Sequence, residues 1–384
     1  MTPEVATRTI LIVNPSPDVY GADLQMVQSA AALVERGWRV VVALPQSGSL
    51  VPRLHEVGAE VVLIRFPVLR KGNARAGSLI KMGLTALAAL PRCLRLIRHL
   101  EISVLLVNTV TLPWWLLAGR LSRTPTVGHL HEAETEARRI VRRALVAPLL
   151  LADAVIVISR AALDSMADAQ PRLVDRAHLI YNGVPGPAGA SSEPRHGEPV
   201  RLAVVGRLSP RKAPDVALET LAALRRDGYD VELELAGTPF AGYEWFEADL
   251  RRRAERPDLV GLVRFSGYCS PIWPVLDRAD IVLAPSLREP FGNAVVEAQL
   301  ARRPVVAAAS QGHLESISDG ETGLLAAPAD PEEMAAAVRK LIDDPALAAR
   351  LAAAGQDSAA RRFSVDRYRV EIGDLVDSVA GSPT

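Results

Sequence analysis

Short runs of Val, Ile and Leu alternate along the chain with longer stretches in which apolar residues recur every three or four positions. The first run, TILIVNP (9–15), leads into ADLQMVQSAAALVERG (22–37), and RVVVALP (39–45) leads into a helical pattern around 51–57. EVVLIRF (60–66), VLLVNT (104–109), TPTVGHL (124–130) and AVIVIS (154–159) follow. Strands that are apolar at nearly every position are buried on both faces, so their alternation with helices predicts a parallel sheet covered on both sides. The N-terminal half reads as a Rossmann-like α/β unit.

The pattern breaks at VPGPAGASSEPRHGEP (184–199), which is rich in Pro, Gly and Ser and has no apolar period, the composition of a linker. The alternation then restarts with VRLAVVG (200–206), VELELAG (231–237), VRFSGY (263–268), DIVLAPS (280–286) and RPVVAAA (303–309). A second Rossmann-like unit is expected over 200–364. The final segment, 365–384, is helical in pattern with no strand after it, and is expected to pack back on the first unit, 1–183. Two such sheets facing a central cleft are the simplest architecture, with ligands at the carboxyl ends of the strands.

Composition narrows the function classes. With 384 residues, 49% of them hydrophobic, the chain is long enough for two sizeable cores. Lys plus Arg and Asp plus Glu are equal at 44 each, so the overall balance predicts no nucleic-acid partner. Cys93 and Cys269 stand apart with neither disulfide-framework nor zinc spacing, which suits a reducing cytoplasm. The N-terminus reads as a first strand and turn rather than an export signal. The uncharged stretch MGLTALAALP (82–91) has about half of the ~20 residues that span a bilayer. No transmembrane helix is expected.

No GxGxxG follows the first strand of either unit and no GxxxxGK[ST] is present, so dinucleotide and Walker-type readings are weak. Instead GRLSPRK follows the first strand of the second unit and supplies Gly206, Arg207 and Lys212. Glycine at a strand end admits close approach of a ligand, Arg offers a planar fork to phosphate and Lys a point charge. These residues fit a diphosphate clamp; a solvated basic loop is the alternative. In LREPFGNAVVEAQLARRP (287–304) a helix starts near Asn293, so the backbone N–H groups of Phe291, Gly292, Asn293 and Ala294 suit an anion. Glu289 and Glu297 flank that position, and carboxylates accept hydrogen bonds from vicinal hydroxyls. A helix-capping turn residue and a surface helix residue are their structural alternatives.

Glu289 to Glu297, with Pro290, Phe291 and Gly292 between them, resembles the E-x7-E signature of the family 4 retaining glycosyltransferases of the GT-B fold. GRLSPRK resembles that family's G-R-x4-K phosphate motif, and the likeness runs over nearly the whole chain. The resemblance implies that Arg207 and Lys212 bind the diphosphate of a UDP- or GDP-sugar donor. It gives Glu297 the ribose hydroxyls and Glu289 a hydroxyl of the transferred sugar, with the N–H groups of Phe291 and Gly292 nearby. It further implies a donor-side glycine loop at Gly21, room for the nucleotide at Gly237, and an active-site histidine at His131. His129, two positions earlier and on the same side of an extended strand, is the alternative. Neither a cofactor nor a metal is implied. Ala22, Ala213 and GHLES (312–316) depart from the usual pattern, where glycines are common.

The family includes many enzymes that act on lipid-linked or cell-envelope polysaccharide acceptors. Between Val61 and Leu100 there is no Asp or Glu, yet Arg65, Arg70, Lys71, Arg75, Lys81, Arg92, Arg95 and Arg98 occur among Leu, Ile and Met. Such a segment suits an anionic membrane surface or, equally, a domain helix with a solvated basic side. EARRIVRRALVAP (136–148) adds to the first reading. The expected placement is cytoplasmic, peripheral on the inner face of the membrane, with a soluble small-molecule acceptor or a non-catalytic nucleotide-sugar-binding role as alternatives.

Overall fold

The computed structural model describes residues 8–18, 21–69, 76–134, 137–189, 197 and 199–381, with side chains in the helix that begins at Ala76 described at 85 and from 88 onward. The chain divides into two compact units, residues 1–183 with 365–384 and residues 184–364. Half of the expected linker, 190–196 and 198, lies outside the described residues, as do Arg70, Lys71 and Arg75 of the basic segment.

The first unit runs β1 (Thr9–Val13), α1 (Gly21–Glu35), β2 (Arg39–Leu44), α2 (Leu50–Glu56), β3 (Glu60–Leu63), α3 (Ala76–His99), β4 (Ile102–Val107), α4 (Pro113–Ser122), β5 (Thr126–Leu130), α5 (Arg139–Val146), β6 (Ala154–Val157), α6 (Arg160–Ala169) and β7 (Ala177–Leu179). Its seven strands order as β3-β2-β1-β4-β5-β6-β7. All pair in parallel, with Leu11 opposite Val41 on one side and Leu105 on the other. Side chains of β1 go alternately to two cores: Leu11 and Val13 to one face, Ile10 and Ile12 to the other. That double burial is why the strand shows no polar alternation.

The second unit runs β8 (Val200–Val205), α7 (Pro214–Arg226), β9 (Val231–Ala236), α8 (Glu244–Ala254), β10 (Val263–Gly267), α9 (Trp273–Arg278), β11 (Ile281–Ala284), α10 (Asn293–Leu300), β12 (Val305–Ala308), α11 (His313–Ser316), β13 (Leu324–Ala326), α12 (Pro331–Asp343) and α13 (Pro345–Arg362). Its six parallel strands order as β10-β9-β8-β11-β12-β13. In both sheets the chain reverses its direction of travel beside the first strand, at β1/β4 and at β8/β11, the switch points where ligands of doubly wound sheets sit. β7 and β13, three residues each, were too short to stand out in the apolar pattern.

The last helix, α14 (Val365–Gly381), belongs to the first unit. It buries Tyr368, Ile372, Leu375 and Val376 in the core that also holds Ile10, Met26 and Leu33. At roughly 1.5–3 kcal/mol per buried large apolar side chain, the helix is a structural part of that core. The Tyr368 hydroxyl lies 2.6 Å from Ser29 Oγ, and Arg36 reaches Asp374 at 2.7 Å and Asp377 at 2.8 Å. Gly183 must be small here, because a Cβ on it would stand 2.6 Å from the Tyr368 Cβ.

Candidate functional site

In the second unit, the loops after β8 and β11 converge although 77 residues separate their key side chains. One backbone bond and one side-chain bond hold them: the Leu287 N–H donates to the Arg211 carbonyl at 3.0 Å, and Arg211 Nη1 donates to the Arg288 carbonyl at 2.9 Å. The Lys212 ammonium is thereby brought into a short ion pair with the Glu289 carboxylate, both side chains being mostly shielded from solvent. Burial by itself would raise the Glu289 carboxyl, but the charges of Lys212 and Arg211 and the hydrogen bond from Lys212 outweigh it and hold the group below its ordinary range.

Gly206 turns out of β8 at φ 144°, and the Lys212 side chain lies along the space that a Cβ there would border, its Nζ 3.9 Å away. Arg207 lies with its guanidinium carbon 3.5 Å above the Phe240 ring, which orients its planar fork. Gly237 leaves room, but the room is filled by protein: a Cβ on it would stand 1.8 Å from the Gly206 carbonyl oxygen. Glycine is therefore needed at 237 for the close packing of β9 against the backbone that leads into Arg207. Ala213, where glycine is common, takes the left-handed conformation at φ 49° and precedes α7 as its N-cap. A residue with a side chain holds a backbone shape for which glycine is best suited.

The helix expected near Asn293 is α10, entered through Gly292 at φ 100°. A Cβ on Gly292 would lie 2.9 Å from His313 Cδ2 and 3.5 Å from Glu289 Cγ, so glycine satisfies both the backbone conformation and the packing. The Phe291 ring faces inward, edge-on to Phe363 with centroids 5.2 Å apart. Gly206, Arg207, Lys212, Glu289 and Gly292 line one concavity together with Ser286, Ala294 and His313. Phe291, Asn293, Gly237 and Glu297 are not part of that lining. Glu297 sits one turn along α10, and its dense surroundings raise its carboxyl to about 7 against the opposing charge of Lys212.

His313 is the residue that sequence reasoning passed over. It is 2% exposed, and its Nδ1 lies 3.0 Å from the Ala308 carbonyl, which only accepts, so Nδ1 carries a proton and Nε2 is the acceptor of the neutral ring. Burial lowers its pKa more than Glu289 raises it, so the ring is neutral. Nothing local in GHLES (312–316) marks His313 as buried; its burial and the loop it faces are tertiary matters.

His129 and His131 of the first unit lie against each other at the end of β5, with ring centroids 3.9 Å apart and planes inclined by 34°. His129 is 0% exposed and both its ring nitrogens lack a hydrogen-bond partner. His131 keeps part of its surface, and its Nε2 meets Asn108 Oδ1 at 3.1 Å. Burial lowers the His131 pKa to about 4 and drives that of His129 well down, with the His131 charge adding to the effect on His129. Of the two, His131 alone retains solvent access. Gly21 is exposed and opens α1. Among the described residues no group of three or more His, Cys, Asp or Glu side chains is placed to hold a metal.

Two doubly wound parallel sheets in one chain, the second with a basic and acidic cluster at its switch point, define the class as two-domain α/β proteins of the GT-B fold. Residues 190–358 match the family model of the glycosyl transferases group 1, and residues 19–185 match that of glycosyltransferase family 4. The chain belongs to these family 4 glycosyltransferases. It is 34% identical over 189 residues to the glycogen synthase of Mycobacterium tuberculosis, covering 48% of this chain and 44% of that protein. It is 33% identical over 268 residues to the D-inositol 3-phosphate glycosyltransferase of Corynebacterium glutamicum, covering 64% of this chain and 62% of that protein. The chain thus spans about half the length of the curated relatives it matches. In fold it is similar to Anabaena HepE solved in complex with UDP-glucose, with a TM-score of 0.80 and 24% identity over 96% of this chain and 99% of that one.

Proposed function

We propose that the protein is a retaining glycosyltransferase that moves a sugar from a nucleoside diphosphate sugar to a hydroxyl of an acceptor presented at an anionic membrane surface, such as a lipid-linked or cell-envelope glycan. The observation that carries the donor half is the ion pair of Lys212 with Glu289 beside Gly206, Arg207 and the Gly292 entry to α10. On donor binding, Lys212 and Arg207 take the diphosphate charge, and the ordered dipoles at the start of α10 stabilise the leaving group as it departs. Glu289 then accepts from a sugar hydroxyl, and Glu297 from the ribose. Attack by the acceptor hydroxyl on the face from which the diphosphate leaves retains configuration, the departing phosphate taking the proton. His131, the member of the histidine pair with solvent access, is assigned to the active site of the first unit.

The membrane half of the reading is supported by α3 and α5. Arg92, Arg95 and Arg98 are exposed on α3 while Cys93 and Ile97 are buried in the core. On α5, Ile140 is 75% exposed among the exposed Arg138, Arg139 and Arg143. Each basic residue near an anionic leaflet contributes about 1 kcal/mol. No helix among the described residues is long and apolar enough to cross a membrane. A soluble acceptor is the second reading, favoured by the likeness to a protein named for D-inositol 3-phosphate, a small polar molecule.

Sedimentation with phosphatidylserine-containing and purely zwitterionic vesicles at low salt separates the two: protein left in the supernatant with both vesicle types removes the membrane acceptor. A thermal-shift panel of UDP, GDP, ADP and TDP tests the donor half, because a ligand of the native state raises stability by mass action. No shift with any of the four would sink it.

A further inference from the structure

Asn14 follows β1 and Asn108 follows β4, the two strands that flank the switch point of the first sheet. The sheet fixes both: the Asn108 N–H donates to the Val13 carbonyl at 3.0 Å, and the Asn14 N–H to the Ala43 carbonyl at 3.1 Å. Their side chains form a buried line. Asn14 Nδ2 donates to Asp23 Oδ1 at 2.7 Å and to the Ser16 carbonyl at 2.8 Å. Asn108 Nδ2 donates to Asn14 Oδ1 at 2.8 Å, and Asn108 Oδ1 meets His131 Nε2 at 3.1 Å. Asp23, Asn14 and Asn108 are 5%, 1% and 2% exposed, so water does not compete for these bonds.

The direction of every bond in the line follows from its far end. The Ser16 carbonyl can only accept, which fixes the NH2 of Asn14 on that side and its Oδ1 toward Asn108. Asn108 must then present its NH2 to Asn14 and its Oδ1 to His131. An amide oxygen only accepts, so His131 Nε2 must carry the proton. We propose that Asp23, Asn14 and Asn108 are positioning residues that hold His131 as the Nε2–H tautomer, leaving the lone pair on Nδ1. The adjacent His129, fully buried and lacking partners at both nitrogens, supports the neutral state, because two imidazolium rings 3.9 Å apart repel. The arrangement thus prepares His131 to accept, not donate, at Nδ1; its consequence for transfer rests on the function proposed above.

The test is the tautomer itself, read by two-bond proton–nitrogen NMR correlations on the full chain with nitrogen-labelled histidine, using His131→Gln to assign the signals. The wild-type protein is expected to show a protonated Nε2 and a bare Nδ1 at neutral pH; a protonated Nδ1 or a mixture overturns the proposal without need of any further variant. Asn108→Leu removes the acceptor and is expected to give a tautomer mixture. Asn108→Asp keeps an acceptor, so Nε2–H is retained while the added carboxylate moves the His131 titration upward. An Asn108→Leu protein that folds and keeps pure Nε2–H also overturns it. Neither donor nor acceptor is used, so failure of the transferase reading and failure of this inference are separate results.

Discussion

The Lys212 ammonium and the Glu289 carboxylate, 77 residues apart in sequence, form a short and mostly shielded ion pair at the switch point of the second sheet. Each neutralises the other; under the proposed function a donor would offer better partners, a diphosphate for the cation and hydroxyls for the carboxylate.

Lys212→Ala and Glu289→Ala are therefore each expected to lower transfer by roughly 10²–10³-fold, the scale of losing one preorganised charged contact in a transition state. Far-UV circular dichroism should stay unchanged, since neither side chain belongs to an apolar core. Wild-type rates in either variant would remove that residue from the site.

Glu297 makes stability depend on pH in a defined direction. The folded carboxyl holds its proton up to about pH 7, whereas the unfolded one releases it near 4.5. The folded state binds more protons in between, so this group's contribution falls as pH rises from about 4.5 to about 7 and is level beyond. Glu297→Gln is expected to remove that slope and to stabilise the protein at alkaline pH by about 1–3 kcal/mol. Urea titrations at several pH values measure it; an unchanged slope refutes the shift.

His131 acts oppositely. Its folded pKa of about 4 lies below the ordinary 6.5, so the unfolded chain takes up a proton first as pH falls. Stability is lost between about pH 6.5 and about pH 4, by up to roughly 3 kcal/mol, and His129 adds in the same direction. In His131→Gln the acid limb of the stability curve should flatten, and a curve superimposable on wild type counts against it.

Gly237→Ala forces a Cβ to 1.8 Å from the Gly206 carbonyl oxygen, so β9 and the loop that carries Arg207 must separate. A loss of about 1–3 kcal/mol is expected, as for overpacking in a core, together with weakened nucleotide binding. A thermal midpoint equal to wild type would show that the two backbones are not so tightly apposed.

Ile372→Ala on α14 tests whether the last helix is part of the first unit's core. Ile372 is fully buried, and such a truncation costs about 2–5 kcal/mol. Removal of 365–384 is expected to leave the first unit unable to fold; a stable, cooperatively unfolding truncation would contradict this.

Much of the molecule was legible along the chain because its signals are local. A strand buried on both faces must be apolar at nearly every position, so β1, β2, β4 and β6 announce themselves, and Pro and Gly mark where the alternation stops. The spacing from Glu289 to Glu297, and from Gly206 to Lys212, is likewise readable, because a turn followed by a helix start sets it within one segment. What the sequence alone could not decide depended on which distant segments touch. The space beside Gly237 goes to the Gly206 backbone because two neighbouring strands end at the same level. His313 joins Glu289 in lining one concavity because the loop after β12 docks on the loop after β11, with the Gly312 N–H on the Glu289 carbonyl at 2.8 Å. Asn14 and Asn108 read only as polar residues after strands until the order of the sheet places them side by side. The sequence by itself determined the two sheets and their loops; the tertiary structure decided the partners of each polar group, since a hydrogen bond depends on proximity in space and not on periodicity along the chain.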